Sequence, residues 1–127
     1  MPFADGSFSL PFAGQPYFVS EYGGIWWNEQ EAREAQEAAE DAARTGNNAA
    51  QSWGYGERVR SEEQLYERFE GLTRVLLEDP LMFGYCYTQM TDVFQEKNGV
   101  VDFARGRKLD LARLREIQQQ QAAYERD

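Results

Sequence analysis

The 127-residue chain has no histidine and one cysteine, Cys86, so any catalysis must run through carboxylates, Tyr, Lys or Arg. Ser-His and Cys-His nucleophile systems and His-based zinc sites are excluded. One Cys makes neither an internal disulfide nor a thiolate cluster. The carboxylate best placed for chemistry is Glu21, at the end of the β-prone run Tyr17-Phe18-Val19-Ser20 and just before Gly23-Gly24. A glycine pair lets backbone and ligand approach closely. A second polar group, Gln89, Asp92, Gln95, Glu96 and Asn98, follows the run Met82 to Thr88, while Trp26, Trp27, Trp53 and Tyr55 are candidates to wall a pocket. Carboxylates and amides beside aromatic faces suit neutral polyols. Metal-ligand spacing and a phosphate-cradling Gly loop are both missing from the pattern. The same residues also fit a plainer reading, in which Glu21 is a solvated loop residue, Asp92 and Glu96 are loop caps, and the Trp pair is packing.

The elements that must position these groups follow from periodicity. Residues 1–16 hold three Pro and two Gly without a period and read as a loop. Tyr17 to Ser20 reads as a buried strand. Residues 29–44, EQEAREAQEAAEDAAR, are strong helix formers without a large apolar face, which predicts a solvated surface helix in an insertion spanning 29–51. Ser61-Glu62-Glu63-Gln64 fits a capping box, and Leu65, Phe69, Leu72 and Leu76 then form a stripe expected to face the strands, until Asp79-Pro80 stops the helix. Met82 to Thr88 is a second strand. A last helix begins near Asp110, with Leu111, Leu114 and Ile117 on one face. Two strands separated by such a helix imply a parallel βαβ unit, right-handed by the general rule. In parallel α/β folds the active site lies at the C-terminal ends of strands, where Glu21 and the 89–98 loop fall.

Composition narrows the partners. A net charge of −9 repels phosphate backbones, so no nucleic-acid partner is expected. No apolar run approaches the ~20 residues of a membrane span, so no membrane partner is expected either. The N-terminus lacks the basic start and apolar core of a signal peptide, which favours a cytoplasmic location. The chain shows no internal repeat.

The run PYFVSEYGGIWW (16–27) resembles the nucleophile segment of glycoside hydrolase family 2, the β-galactosidase and β-glucuronidase family. SWGYGERVRSEEQLYERFEGL (52–72) and FGYCYTQMTDVFQEKNGVVDFARGRKLDLARLR (83–115) resemble the remainder of the catalytic barrel's end in one branch of that family. The resemblance covers nearly everything outside the first residues, the 29–51 insertion and the tail. It implies an α/β fold, the last two β/α units of a TIM (β/α)₈ barrel. It implies a retaining glycosidase with Glu21 as nucleophile and Trp26, Trp27, Tyr87, Gln89, Asp92, Glu96 and Asn98 at the substrate, without cofactor or metal. Thr88 stands where many relatives carry a sugar-stacking Trp, and Arg107 where this branch tends to have Pro.

A retaining glycosidase uses two carboxyl groups ~5 Å apart, one attacking the anomeric carbon and one serving as acid and then base. The family's acid/base is the Glu of an Asn-Glu pair at an earlier strand end. The only Asn-Glu here, Asn28-Glu29, follows Trp27 and leads into the insertion, so it is not that residue. The expectation is therefore a C-terminal glycosidase fragment that supplies the nucleophile but not the acid/base. Tyr85, Tyr87 or Gln89 would donate to Glu21 and keep it ionised. The alternatives are a non-catalytic sugar-binding or interaction module, and one chain of a split glycosidase. Exposed strand edges would pair with the missing barrel segment or a second copy.

Overall fold

A computed structural model describes residues 12–45 and 56–126. The order of elements is β1 (Tyr17–Gly23), α1 (Glu29–Thr45), α2 (Glu62–Glu78), β2 (Met82–Thr88), α3 (Leu111–Gln118) and a 3₁₀ turn at Ala123–Glu125. The expected helices and strands form close to their predicted limits. Residues 46–51 of the expected insertion, and Trp53 and Tyr55, lie outside the described residues.

The expected fold, the last two units of a (β/α)₈ barrel, is overturned. The described residues form a mixed α/β structure of three α-helices around a two-stranded parallel sheet, order β1-β2. A barrel strand is paired on both sides and its ring closes; here each strand has one partner. The core also lies elsewhere than inside a barrel. Ile25 and Trp27 after β1, Val59 before α2, Leu65, Tyr66 and Phe69 of α2, and Leu109, Leu114 and Ile117 around α3 form one cluster.

The register of the two strands is broken twice. Val19 pairs with Tyr85 and Tyr22 with Tyr87, so three steps along β1 match two along β2. The extra residue makes a bulge at Ser20–Glu21, inside the strand and not beyond its end. A bulge bends its strand and re-aims the side chains it carries. Gly23 sits at φ +89, and a Cβ there would come within 2.2 Å of the Tyr87 ring. What approaches this glycine closely is therefore a packed tyrosine.

Local chemistry explains the helices. Asn28 caps α1, its Oδ1 accepting from Glu31 N at 2.9 Å. In α1, Arg33 to Gln36 are exposed and Ala32 touches the edge of the core, as a helix without an apolar stripe should behave. Ser61 accepts from Gln64 N, but the Gln64 side chain reaches Arg60 N and not Ser61 N, so the capping box is shifted by one residue. The expected stripe of α2 is half right. Leu65 and Phe69 are buried, but Leu72 is 40% exposed, and Thr73 and Leu77 take the inward positions. The buried row 65-69-73-77 advances by four residues and passes through a threonine. Thr73 is tolerated inside because its hydroxyl pairs with Tyr22 Oη at 2.9 Å. In α3, Leu114 and Ile117 are buried while Leu111 is 47% exposed.

Candidate functional site

β1 and β2 run parallel, so both C-terminal ends lie on one side of the sheet, where Gly23 pairs with Thr88. From there the chain after β1 turns into the core and the chain after β2 makes a long excursion. The two are stitched together: Gly24 N donates to Thr88 O at 2.8 Å and Trp27 N to Lys97 O at 2.9 Å. The excursion doubles back on itself, with Val100 N donating to Gln89 O and Val101 N to Met90 O, and Thr91 bridging Val101. Glu21 lies in the bulge two residues before Gly23, exposed.

The polar residues of the excursion hold one another. Gln89 Nε2 donates to Asn98 Oδ1 at 2.7 Å and to Glu96 Oε2 at 3.3 Å. Asp92 is 2% exposed; its Oδ1 accepts from Gly99 N at 2.8 Å and from Lys108 Nζ at 2.7 Å. The Lys108 side chain is 8% exposed and donates to Lys97 O at 3.1 Å. Burial pushes the Lys108 ammonium below the usual lysine range, and the Asp92 carboxylate opposes that shift. A Cβ on Gly99 would come within 2.2 Å of Asp92 N, so the two arms of the loop meet backbone to backbone. Asn98 is 1% exposed.

The aromatic candidates divide. Trp27 is buried in the core. Trp26 is half-buried, with the Arg58 guanidinium 5.1 Å from its ring centroid. Tyr87 packs edge-on against Phe69 and Tyr22, at centroid distances of 5.1 and 5.3 Å. Burial raises the Tyr22, Tyr85 and Tyr87 hydroxyls above the usual range, so all three stay protonated at neutral pH. The Ile25 backbone N–H serves the Tyr87 hydroxyl and Thr73 serves Tyr22.

The structure thus brings Gln89, Asp92, Glu96 and Asn98 into one braced loop, at the sheet end where the Glu21 bulge lies. It sets Trp27 and Tyr87 behind that loop as packing. Sequence reasoning missed Lys108, whose partner is 16 residues away and whose burial leaves no local signal. It also missed two exposed rings on this excursion, Phe94 and Phe103. Among the described residues no group of three or more His, Cys, Asp or Glu could hold a metal ion. No protein-family model matches the chain, and no curated protein matches it significantly.

Proposed function

We propose that this chain supplies the nucleophile of a retaining glycoside hydrolase acting on β-galactoside- or β-glucuronide-like substrates. The observation that carries the reading is the pairing of an exposed Glu21 on a β-bulge with the braced amide and carboxylate loop at the same end of a parallel sheet. The resemblance of residues 16–27 and 83–115 to the glycosidase family supplies the role. In this reading Glu21 Oε attacks the anomeric carbon as the leaving oxygen departs, and a glycosyl ester forms and is later hydrolysed. Gln89 and Glu96 form the polar wall that positions sugar hydroxyls, with the buried Asn98 holding Gln89 from behind.

The acid/base is a separate group. Asp92 is unsuited to it, because it is buried and its carboxylate is engaged by Gly99 N and Lys108 Nζ, away from any substrate. We infer that the second carboxyl comes from another segment or another chain. General acid–base catalysis contributes about 10²–10⁴-fold, so the chain alone should show no useful turnover of natural glycosides.

A substrate with a fluoride leaving group needs no acid. The purified chain, incubated with a 2-deoxy-2-fluoro-β-glycosyl fluoride of the galacto or glucurono series, should gain one glycosyl mass on the peptide bearing Glu21. The Glu21→Gln variant should gain none. Labelling at another residue, or equal labelling of both proteins, would remove Glu21 from the role.

A further inference from the structure

We propose that Phe94 and Phe103 form the platform for the aglycone, and that the glycosides recognised here carry a flat apolar ring, an aryl group, on the leaving oxygen. The inference rests on the glycosidase reading above and deepens it.

Phe94 is 80% exposed and Phe103 59%, and their ring centroids stand 5.7 Å apart at an interplanar angle of 50°. Water-facing aromatic rings on a loop gain nothing from burial, so their cost to solubility needs another reason. The backbone sharpens the point. Phe94 occupies φ +43 and Arg105 φ +65, and these are the only non-glycine residues with positive φ among the described residues. Both belong to the two turns that present the ring pair. The first turn is closed by reciprocal bonds between Val93 and Glu96, and the second by Arg105 N to Asp102 O and Gly106 N to Asp102 Oδ1. A bulky side chain in the left-handed region is disfavoured unless its surroundings hold it there. The buried Asp92–Lys108 pair and the Gln89–Asn98 bond brace the base of the same excursion. The rings are therefore held in place before any ligand arrives, which is what a binding platform requires.

Size and chemistry choose the occupant. Two phenyl rings bury roughly 300–500 Å², well short of the ~800 Å² per partner of a stable protein interface. That area matches one ring-sized ligand. Neither side chain offers a hydrogen bond, so the ring they take is apolar on its face. Continuity with the polar wall is direct, because Glu96 both closes the Phe94 turn through its backbone and accepts from Gln89 through its carboxylate. A sugar held by Gln89 and Glu96 would carry its aglycone toward the tip of the same loop. An anionic lipid surface is disfavoured by the net charge of −9.

The test is ligand-observed saturation-transfer NMR and calorimetry on the whole chain with 4-nitrophenyl and methyl β-galactoside and β-glucuronide pairs, and with free 4-nitrophenol. The aryl glycosides should bind about five- to tenfold more tightly than the methyl glycosides, with saturation reaching the nitrophenyl protons. Phe94→Ala should bring that ratio near one and leave methyl-glycoside binding unchanged. Phe94→Gly relieves the positive φ; it should keep or raise the melting temperature while still losing the aryl preference, which separates binding from folding. A ratio unchanged in both variants overturns the platform and leaves the glycosidase reading standing. Phe94-dependent binding of 4-nitrophenol without any methyl-glycoside signal supports an aryl site but overturns its coupling to a sugar. Absence of binding by every probe, or sedimentation showing that the rings are covered by a second copy, overturns the inference.

Discussion

At the C-terminal end of the sheet, Tyr22 and Tyr87 are covered by Phe69 and Thr73 of α2, and the chain beyond β1 plunges into the core at Ile25 and Trp27. At the N-terminal end of the same two strands, Tyr17, Phe18, Leu81 and Phe83 stand between 38% and 49% exposed, and Phe18 leans on Phe83 at 5.6 Å. The elements are shared and the strand sequences are similarly aromatic. Packing at the first end is supplied by α2, α3 and the loop ion pair; at the second end Met82 is buried, but Tyr17, Phe18, Leu81 and Phe83 remain open to solvent. Stability is therefore concentrated beneath the candidate site, and local opening should begin at the other end.

The sharpest way to break this comparison is to hollow out the packed end. Phe69 is 1% exposed and touches the Tyr87 ring edge-on. Phe69→Ala should cost about 3–5 kcal/mol in urea unfolding. A loss below about 1 kcal/mol would show that the core does not bind the sheet to α2.

The buried pair comes next. Asp92→Ala strands the Lys108 ammonium, and removing one partner of a buried pair typically costs about 3–5 kcal/mol. The expected readout is a lower melting temperature with loss of order in residues 89–101, seen by amide exchange. The double variant Asp92→Leu, Lys108→Met should recover much of the loss, because no charge is then left uncompensated. If it recovers nothing, the pair matters for its hydrogen bonds to Gly99 N and Lys97 O and not for its charge.

Alkali gives a milder probe. Burial, and then the Glu62 carboxylate that accepts its proton, push the Tyr66 hydroxyl up to about 12; burial raises Tyr87 as well. A folded-state pKa above the unfolded value of 10 means that the native state holds its proton longer. Its contribution is present below pH 10 and is lost as pH rises through about 12. Tyrosinate absorbance should show a late step, as pH rises toward about 12, that coincides with lost ellipticity. Full titration near pH 10 with an intact fold would contradict the assigned burial.

Legibility in the sequence followed the range of the forces involved. The strand limits at Met82 and Thr88, the cap at Ser61 and the helix start near Asp110 rest on neighbouring residues, and they were readable. The inward row of α2 departs from the expected stripe at Leu72 because Thr73 counts as polar until its distant partner Tyr22 is known. The bulge at Glu21 depends on the register against Tyr85 and Tyr87, which no local pattern encodes. The polar loop 89–98 was visible as composition, but its brace Lys108 was not, since an ion pair across 16 residues leaves no period. The barrel expectation came from resemblance alone, and the two-stranded sheet with its core outside the strands does not bear it out.

The smallest expected effect lies at the bare end. Phe18 and Phe83 are each almost half exposed, and their chief contact is with each other and with the backbone at Gly84, where a Cβ would come within 2.7 Å of the Phe18 ring. Replacing both with Ser removes that contact but opens no enclosed cavity, so the cavity term that dominates core truncations is absent. Partly exposed positions away from caps and buried networks usually shift stability little. The double variant should therefore lose about 1 kcal/mol or less in urea unfolding, against the 3–5 expected for Phe69→Ala. Its solubility should move the other way. Two open strand edges beside exposed rings favour association, so light scattering at fixed concentration should fall. A loss as large as that of Phe69→Ala would mean that the N-terminal end of the sheet is as firmly packed as the end that carries the site, and the contrast between the two ends would not stand.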